Sequence, residues 1–294
     1  MAQSQEFWKW PEKSWLAKDI DWREADKLTA GIDVGTTSTQ AVAFADGRLF
    51  AYASLATGWD FKTAPDRALA AALEGAGLDA SGIGSIAATG FGAEHAKVAQ
   101  KEIDDVTCHA KGGRFIYGPS VATIVDIGGQ TTEAIRLYDW DRVRDFTMND
   151  KCATGMGRSV ELMCDILGIH ITEAADASLK AEKDPEPASH TCFSFMNPEI
   201  VGLFRQGYKE QGYSEYEVYA AWLFTIAWRV IGTIAKLQPL DAGDVKVYGP
   251  IGFTGGLALN SGITKRIERE LGFEALASDI DPMLAGAIGA ALLA

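Results

Sequence analysis

The sequence is poor in cysteine, short of positive charge and without a long apolar run at its start. Its 294 residues include four cysteines, and 27 lysines and arginines stand against 40 aspartates and glutamates, giving a net charge of −13. This acidic balance, with no compensating basic run, argues against a surface for nucleic acid or an anionic membrane. The cysteines form no CxxC pair and no dense framework, so we do not expect a secreted disulfide scaffold.

Targeting and membrane signals are also missing. The opening "MAQSQEFWKWPEKSWLAKDIDWREADK" lacks the continuous apolar segment of a signal peptide. No stretch approaches the roughly 20 apolar residues of a membrane span. Hydrophobic residues make up 47% and charged residues 23% of the chain, which is typical of a globular protein with a sizeable core. We therefore predict a cytoplasmic protein of one large or two moderate domains, with no membrane and no nucleic acid as partner.

The opening segment carries four tryptophans among charged residues, at positions 8, 10, 15 and 22. One interpretation is a tail folded over its own domain. The other is a docking arm for a partner chain, because exposed tryptophans make strong interface anchors. The sequence leaves both open.

Two similar hairpins stand out. "LTAGIDVG" (28–35) is followed by a small-residue turn and by the alternating "TQAVAF", and "ATIVDIGGQTTEAI" (122–135) has the same order of features. Aligning the two places Asp33 on Asp126, Gly35 on Gly128 and Thr39 on Thr132, with an offset of 93 residues. This internal repeat predicts two similar halves.

The residue types of these turns suit phosphate. Glycines allow close approach of the backbone to a ligand, and successive N–H groups form an anion-binding nest. Hydroxyl donors are added by Thr36, Thr37, Thr131 and Thr132. A carboxylate at each strand end, Asp33 or Asp126, can hold Mg²⁺ through water or position an attacking water.

A third element follows near the C-terminus. "VKVYGPIGFTGGLALNSGITKRIERELG" (245–272) predicts a short strand, a turn at Gly255 and Gly256, then Asn260 and an amphipathic helix, a suitable platform for adenine and ribose. No GxxxxGK[ST] P-loop occurs, and no GxGxxG follows the first strand, which weakens a dinucleotide-binding interpretation.

These three elements, in this order and spacing, resemble the superfamily of acetate and sugar kinases, Hsc70 and actin. The resemblance implies an α/β fold of two ribonuclease-H-like (actin-type ATPase) domains with ATP and Mg²⁺ in the cleft between them. Residues 28–118 plus 283–294 would form domain I and residues 119–282 domain II, after an extension at 1–27.

The resemblance also implies a role for each motif residue. Asp33 would hold Mg²⁺ through water. The γ-phosphate and the hydrolytic water would be framed by Asp126 and Gln130. The nucleotide would be bound by Gly35, Thr36 and Thr37, by Gly128, Gly129 and Thr131, and at the adenosine by Gly255, Gly256 and Asn260.

A narrower resemblance comes from "NDKCATGMGR" (149–158) with "VTCHAKG" (106–112) upstream. Both are similar to activators of 2-hydroxyacyl-CoA dehydratases and to ATPase subunits of ATP-dependent benzoyl-CoA reductases. In that family two related subunits each give two cysteines to one [4Fe–4S] cluster at their interface. Carried over by motif, the ligands would be Cys108 and Cys152.

The residues themselves support a cysteine at that place. Positions 160, 163 and 167 form one apolar helical face, so Cys152 stands near a helix N-terminus, where the free N–H groups lower a thiolate pKa. Asn149 and Asp150 are candidate caps. Cys164 shares the apolar face and is expected to be a buried structural thiol, and for Cys192 the same role is favoured. A zinc site using His95 or His109 is a weaker alternative.

The resemblance implies an ATP-hydrolysing, electron-transferring subunit of an aromatic acyl-CoA (benzoyl-CoA) reductase. Its partners would be a homologous ATPase subunit that shares the cluster, the catalytic reductase subunits, and reduced ferredoxin as donor. Thr131 and Glu133 depart from the activators, which usually carry Asp and Lys there, and this favours one of two non-identical reductase subunits. The alternatives are a homodimeric dehydratase activator, a small-molecule kinase and a nucleotide-sensing scaffold.

Overall fold

The computed structural model describes residues 6–138, 142–149, 155–181, 210, 212–237 and 249–294. Within these ranges the chain builds two β-sheets with helices packed between and around them. The first sheet has six strands in the order β1-β4-β3-β2-β5-β6. Their bounds are β1 Lys13–Leu16, β2 Leu28–Val34, β3 Ser38–Ala45, β4 Arg48–Ala56, β5 Ser85–Thr89 and β6 Lys101–Glu102.

The second sheet repeats the plan of the first. Its order is β10-β7-β8-β9, with β7 Thr123–Ile127, β8 Thr132–Leu137, β9 Val143–Met148 and β10 Ile251–Thr254. In each sheet a hairpin is extended by a strand parallel to its first member, β5 beside β2 and β10 beside β7. Asp33 lies opposite Gln40, and Asp126 lies opposite Glu133, so the registers agree as well. The repeat predicted from the sequence is confirmed.

Seven helices connect and cover these sheets in the described ranges. They are α1 Ala64–Glu74, α2 Asp105–Tyr117, α3 Gly157–Leu167, α4 Ala174–Leu179, α5 Glu215–Ala235, α6 Ser261–Leu271 and α7 Ala285–Leu293. Helix α1 covers one face of the first sheet, where Leu69 and Leu73 join the core around Ile32. Helices α3, α5 and α6 enclose the second core.

Helices α2 and α7 lie between the two sheets. Ala110 of α2 packs with Ile124 and Ile135 of the second sheet, whereas Ile116 packs with Val42 of the first. Helix α2 therefore contacts both halves, although the predicted domain boundary at residue 118 assigned it to domain I. That boundary stays a prediction.

Glycines set the separation of α2 and α7. A Cβ built on Gly112 would lie 1.8 Å from the carbonyl oxygen of Ala285, and one built on Gly289 would lie 1.9 Å from that of Cys108. No side chain fits either position without moving a backbone. The close packing of α2 and α7 thus requires glycine at these positions.

Helix α5 is the main support of the second core. Ser214 and Glu217 form a capping box at its start, and Tyr219 and Trp222 are fully buried. By length and composition this helix could cross a membrane, since an 18-residue window has mean hydropathy 1.5, contrary to the expectation that no stretch would qualify. However, 72% of that window is buried inside the protein, which accounts for its apolar character.

The N-terminal extension folds on its own chain from residue 6 onward. Strand β1 adds to the edge of the first sheet beside β4, and Trp15 stacks on Tyr52 with ring centres 5.5 Å apart. Trp22 begins a short 3-10 turn that packs against the first core. Of the two interpretations of this segment, the structure favours the folded-back tail.

The glycine at the crossing of α2 and α7 gives a stability prediction. We expect Gly289→Ala to lower the free energy of unfolding by about 2 kcal/mol, because the methyl group overpacks the contact with α2. Urea unfolding followed by circular dichroism measures the change. The matched control is Gly232→Ala in α5, where a Cβ meets nothing within 4 Å. That variant should gain up to about 1 kcal/mol from helix propensity, and equal losses in both would contradict the prediction.

Candidate functional site

Two phosphate-type loops face each other between the sheets. Loop 1 (35–37) follows β2, and loop 2 (128–131) follows β7. A Cβ on Gly129 would lie 2.8 Å from the Thr36 hydroxyl oxygen and 2.8 Å from the methyl carbon of Thr37. The loops of opposite halves therefore meet as closely as a glycine allows, and a ligand between them contacts both.

The cleft gathers most of the predicted nucleotide site. The following predicted residues line it together: Asp33, Gly35, Thr36, Thr37, Asp126, Gly128, Gly129, Gln130, Thr131, Gly255 and Gly256. Gly255 has a φ of 84°, and a Cβ there would lie 2.6 Å from Asp126 Oδ1. A left-handed backbone and close approach together require glycine at this turn. The roles assigned to the individual residues stay predictions.

Asn260 lies elsewhere. It is only 3% exposed and is absent from the cleft lining, and its amide nitrogen donates to the Tyr219 hydroxyl at 3.4 Å. The residue is the N-cap of α6, and its side chain joins α6 to α5. Its expected contact with adenosine stays a prediction.

His109 on α2 lies between the two strand-end carboxylates. Its Nδ1 is 3.2 Å from Asp126 Oδ1, and its Nε2 is 3.9 Å from Asp33 Oδ2. The Thr254 hydroxyl also donates to Asp126 Oδ1 at 3.0 Å. All four side chains are buried. From the sequence, His109 is a candidate only in the weaker zinc alternative. Its i, i+4 spacing from Asp105, which also lines the cleft, is the one signal of a shared helix face.

Burial and charge shift the pKa values of this cluster. Burial raises the Asp33 pKa to about 7, and the nearby charge of Asp105 contributes to this increase. Burial also raises the pKa of Asp126. Burial alone would lower the His109 pKa, but Asp126, Asp33 and further carboxylates outweigh it and raise it to about 9. The imidazolium thus neutralises part of a buried negative site.

Glu133 lies close to this cluster. It pairs across the hairpin with Asp126, lines the cleft and is 2% exposed. Its Oε2 has no hydrogen-bond partner among the described residues, and burial raises its pKa to about 8. A carboxyl group with a free oxygen therefore faces the ligand space at a position where the dehydratase activators were expected to carry a lysine.

The start of α3 is attached to loop 2. The amides of Gly157 and Arg158 donate to the carbonyl oxygens of Gly128 and Gly129 at 3.3 and 3.2 Å. Two of the helix's otherwise unpaired N–H groups are satisfied by the phosphate loop itself. Any shift of loop 2 is consequently passed to α3.

Asn149 does not cap this helix. Its Oδ1 accepts from the Thr132 amide at 2.8 Å, and Met156 stands at the N-cap position without a side-chain cap. Asn149 instead completes loop 2 from the end of β9. Asp150 and Cys152 lie outside the described residues, and so does Cys192.

The two described cysteines are interior thiols. Cys108 is 0% exposed, packs between Ala87 and Ala290, and its pKa is raised to about 12 by burial. Cys164 is 0% exposed in the second core beside the Tyr219 hydroxyl, as expected of a structural cysteine. The Cys108 thiol lies inside the protein, away from any surface that a second subunit could contact in this conformation. Its expected role as a ligand stays a prediction that this burial does not favour.

Comparison with known proteins agrees with this architecture. Residues 30–294 match the model of the BadF/BadG/BcrA/BcrD ATPase family. The chain belongs to this family. Membership in an ATPase family implies ATP and Mg²⁺, and it is consistent with the two-domain actin-type fold predicted from the motifs.

Three relatives illustrate the range of the family. The activator of lactoyl-CoA dehydratase from Anaerotignum propionicum is 35% identical over 266 residues, 90% of this chain and 96% of that protein. One of the subunits of benzoyl-CoA reductase from Thauera aromatica is 30% identical over 282 residues, 90% and 92% of the two chains. The structure of the 2-hydroxyisocaproyl-CoA dehydratase activator from Clostridium difficile with bound ADPNP has a TM-score of 0.78 at 30% identity, covering 91% and 94%.

The cleft fits magnesium nucleotide. In the described part of the chain, no three or more His, Cys, Asp or Glu side chains form a metal site. Mg²⁺ usually takes most of its ligands from phosphate and water, and Asp33 in its outer sphere stays a prediction. The two glycine loops would supply backbone N–H groups for the phosphates.

Removal of His109 should destabilise the metal-free protein. His109→Gln leaves two buried carboxylates without their cation, so we expect a loss of about 3 kcal/mol. Urea unfolding in EDTA measures it. His95→Gln is the control, because His95 pairs with an exposed Glu94 and such pairs contribute little. A loss no greater than that of the control would show that His109 does not neutralise the site.

The thiols give a second test. Cys108 and Cys164 should resist iodoacetamide in the native protein at pH 8, because both are buried with pKa values raised to about 12. Both should be labelled in urea. Peptide mass spectrometry reports each site separately, and rapid native labelling of Cys108 would restore it as an accessible ligand.

Proposed function

We propose that this protein is a nucleotide-driven activator that delivers electrons to an acyl-CoA enzyme, with a 2-hydroxyacyl-CoA dehydratase as that enzyme. The observation that carries the proposal is the pair of hydrogen bonds from α3 to loop 2. They join the γ-phosphate end of the cleft to the helix that follows the "NDKCATG" motif. Through these bonds the nucleotide state would act on α3, whose first residue, Gly157, follows Cys152 closely in the sequence.

Within the cleft, the described residues suit ATP hydrolysis. Loops 1 and 2 would hold the phosphates through backbone N–H groups and threonine hydroxyls. Asp33 would orient magnesium-bound water, and Asp126 with Gln130 would position the attacking water. Thr254 and His109 fix the Asp126 carboxylate, which is a positioning role. Loss of the γ-phosphate would release loop 2 and with it the start of α3.

The cluster itself rests on cysteines outside the described residues. A [4Fe–4S] cluster supplies one-electron chemistry and needs four thiolates, so two subunits would each give two. Since Cys108 and Cys164 are enclosed, we propose Cys152 and Cys192 as the pair from this chain. Cys192 thereby takes the place that the motif resemblance assigned to Cys108.

The dehydratase is favoured over the aromatic reductase by two points. The lactoyl-CoA dehydratase activator is more similar to this chain than the benzoyl-CoA reductase polypeptide, at 35% against 30% identity. The N-terminal extension folds on its own chain, so it gives no support to a docking arm for a permanent partner. A second copy of this chain that shares the cluster, reduced ferredoxin as donor and a cytoplasmic location belong to the proposal. For the reductase, the second subunit would be a homologue.

The reductase subunit remains the second candidate because of Glu133. A buried carboxyl in the cleft, where activators were expected to carry lysine, suits a specialised member of an unequal pair. Purification without oxygen distinguishes the two candidate functions. A homodimer without other subunits favours the dehydratase activator. Co-purification with further subunits in constant stoichiometry favours the reductase.

The catalytic assignment predicts that Asp126→Asn lowers ATP hydrolysis by at least about 100-fold, since a positioned base is lost. Nucleotide binding should survive. Asp19→Asn is the control, because Asp19 forms only an exposed ion pair with Arg48. The rate of hydrolysis is measured by the release of phosphate. Near-normal turnover of Asp126→Asn would show that another residue positions the water.

The electron-delivery assignment is tested by low-temperature EPR of the dithionite-reduced protein, with and without MgATP. A [4Fe–4S] signal that responds to nucleotide and is lost in Cys152→Ser and Cys192→Ser, but kept in Cys108→Ser and Cys164→Ser, supports it. A protein without any cluster signal would return the small-molecule kinase to first place.

A further inference from the structure

The N-terminal extension is anchored firmly at one end to the first sheet. In β1, Lys13 lies opposite Ser54 of β4, and the Ala17 amide donates to the carbonyl oxygen of Phe50 at 2.7 Å. Lys13 also pairs with Asp281 at 3.3 Å, just before the start of α7. Backbone pairing holds this part of the extension to the first half of the molecule.

The other end of the extension contacts the second half. The Ile171 amide donates to the Phe7 carbonyl oxygen at 2.9 Å. The guanidinium carbon of Arg158, in the first turn of α3, lies 5.6 Å from the centre of the Trp8 ring. Residues 7–16 therefore span from α3 and its neighbours to the first sheet.

Trp10 is the residue of this span that enters the cleft. It packs against the second core, and it lines a small cavity together with Glu161 of α3. It lines the nucleotide cleft together with Thr37 and Gly157. A smaller adjoining cavity is walled by Trp10, Thr37, Glu161 and Met283. Because Thr37 belongs to loop 1, Trp10 stands beside that phosphate loop.

We propose that the extension is a built-in part of the nucleotide site, with Trp10 closing the phosphate end and residues 7–16 tying α3 to the first sheet. The family match begins at residue 30, so this wall is supplied from outside the shared family region. The inference rests on the nucleotide cleft of the proposed function. Its ligand is magnesium-bound ATP or ADP, whose phosphates it shields from water. Departure of the nucleotide then requires the extension to release α3.

The test measures release of a fluorescent ADP analogue with Mg²⁺ by stopped flow. We expect Trp10→Ala, and a chain lacking residues 1–12, to release it about ten-fold faster than the unaltered protein. The matched control is Trp59→Ala, which changes a fully exposed tryptophan that does not line the cleft. Its release rate should equal that of the unaltered protein.

Unchanged release in both variants would overturn the proposal, even with full electron delivery. Faster release in Trp10→Ala and in the shortened chain, with normal release in Trp59→Ala, supports it. If the shortened chain fails to fold, as judged by circular dichroism, Trp10→Ala alone decides. The readout needs no cluster and no acyl-CoA enzyme, so failure of electron delivery and failure of this inference are separate results.

Discussion

The close crossing of α2 and α7 between the two sheets is the constraint on which the site depends. A Cβ on Gly286 would lie 2.2 Å from Asp33 Oδ2 and 3.2 Å from His109 Nε2. The backbone of α7 therefore packs directly against these two side chains. Because the helices touch without side chains between them, the ends of β2 and β7 come near enough for one imidazole to contact a carboxylate from each. A wider crossing would leave two separate half-sites.

This arrangement brings the buried charged side chains close to the two phosphate loops. Two buried carboxylates of raised pKa face a histidine that neutralises them, and the phosphate loops lie directly above. A magnesium nucleotide would bring a cation, Mg²⁺, and anionic phosphates to the same place. Its binding would therefore change the charge interactions between His109 and the two carboxylates. Such a change can alter the separation of the two halves, since each carboxylate belongs to a different sheet.

Two elements are placed to transmit that change. Helix α3 is held on loop 2 by its first amides, and the N-terminal extension joins α3 to the first sheet around the outside of the cleft. The internal positions of Cys108 and Cys164 are the reason why we propose the remaining two cysteines for redox chemistry. In the proposed activator, the nucleotide site, α3 and the extension would move together.

The repeat, the two phosphate loops and the Gly255 turn could all be predicted from the sequence, because glycines, hydroxyls and strand-end carboxylates constrain the backbone locally. The positions of His109, Asn260 and Cys108 could not. Each of these sits on a helix whose rotation is set by packing against distant segments: α2 against α7 for His109 and Cys108, and α6 against α5 for Asn260. The course of the tryptophan-rich extension likewise depends on tertiary contacts, since its neighbours Glu161 and Ser54 are far along the chain.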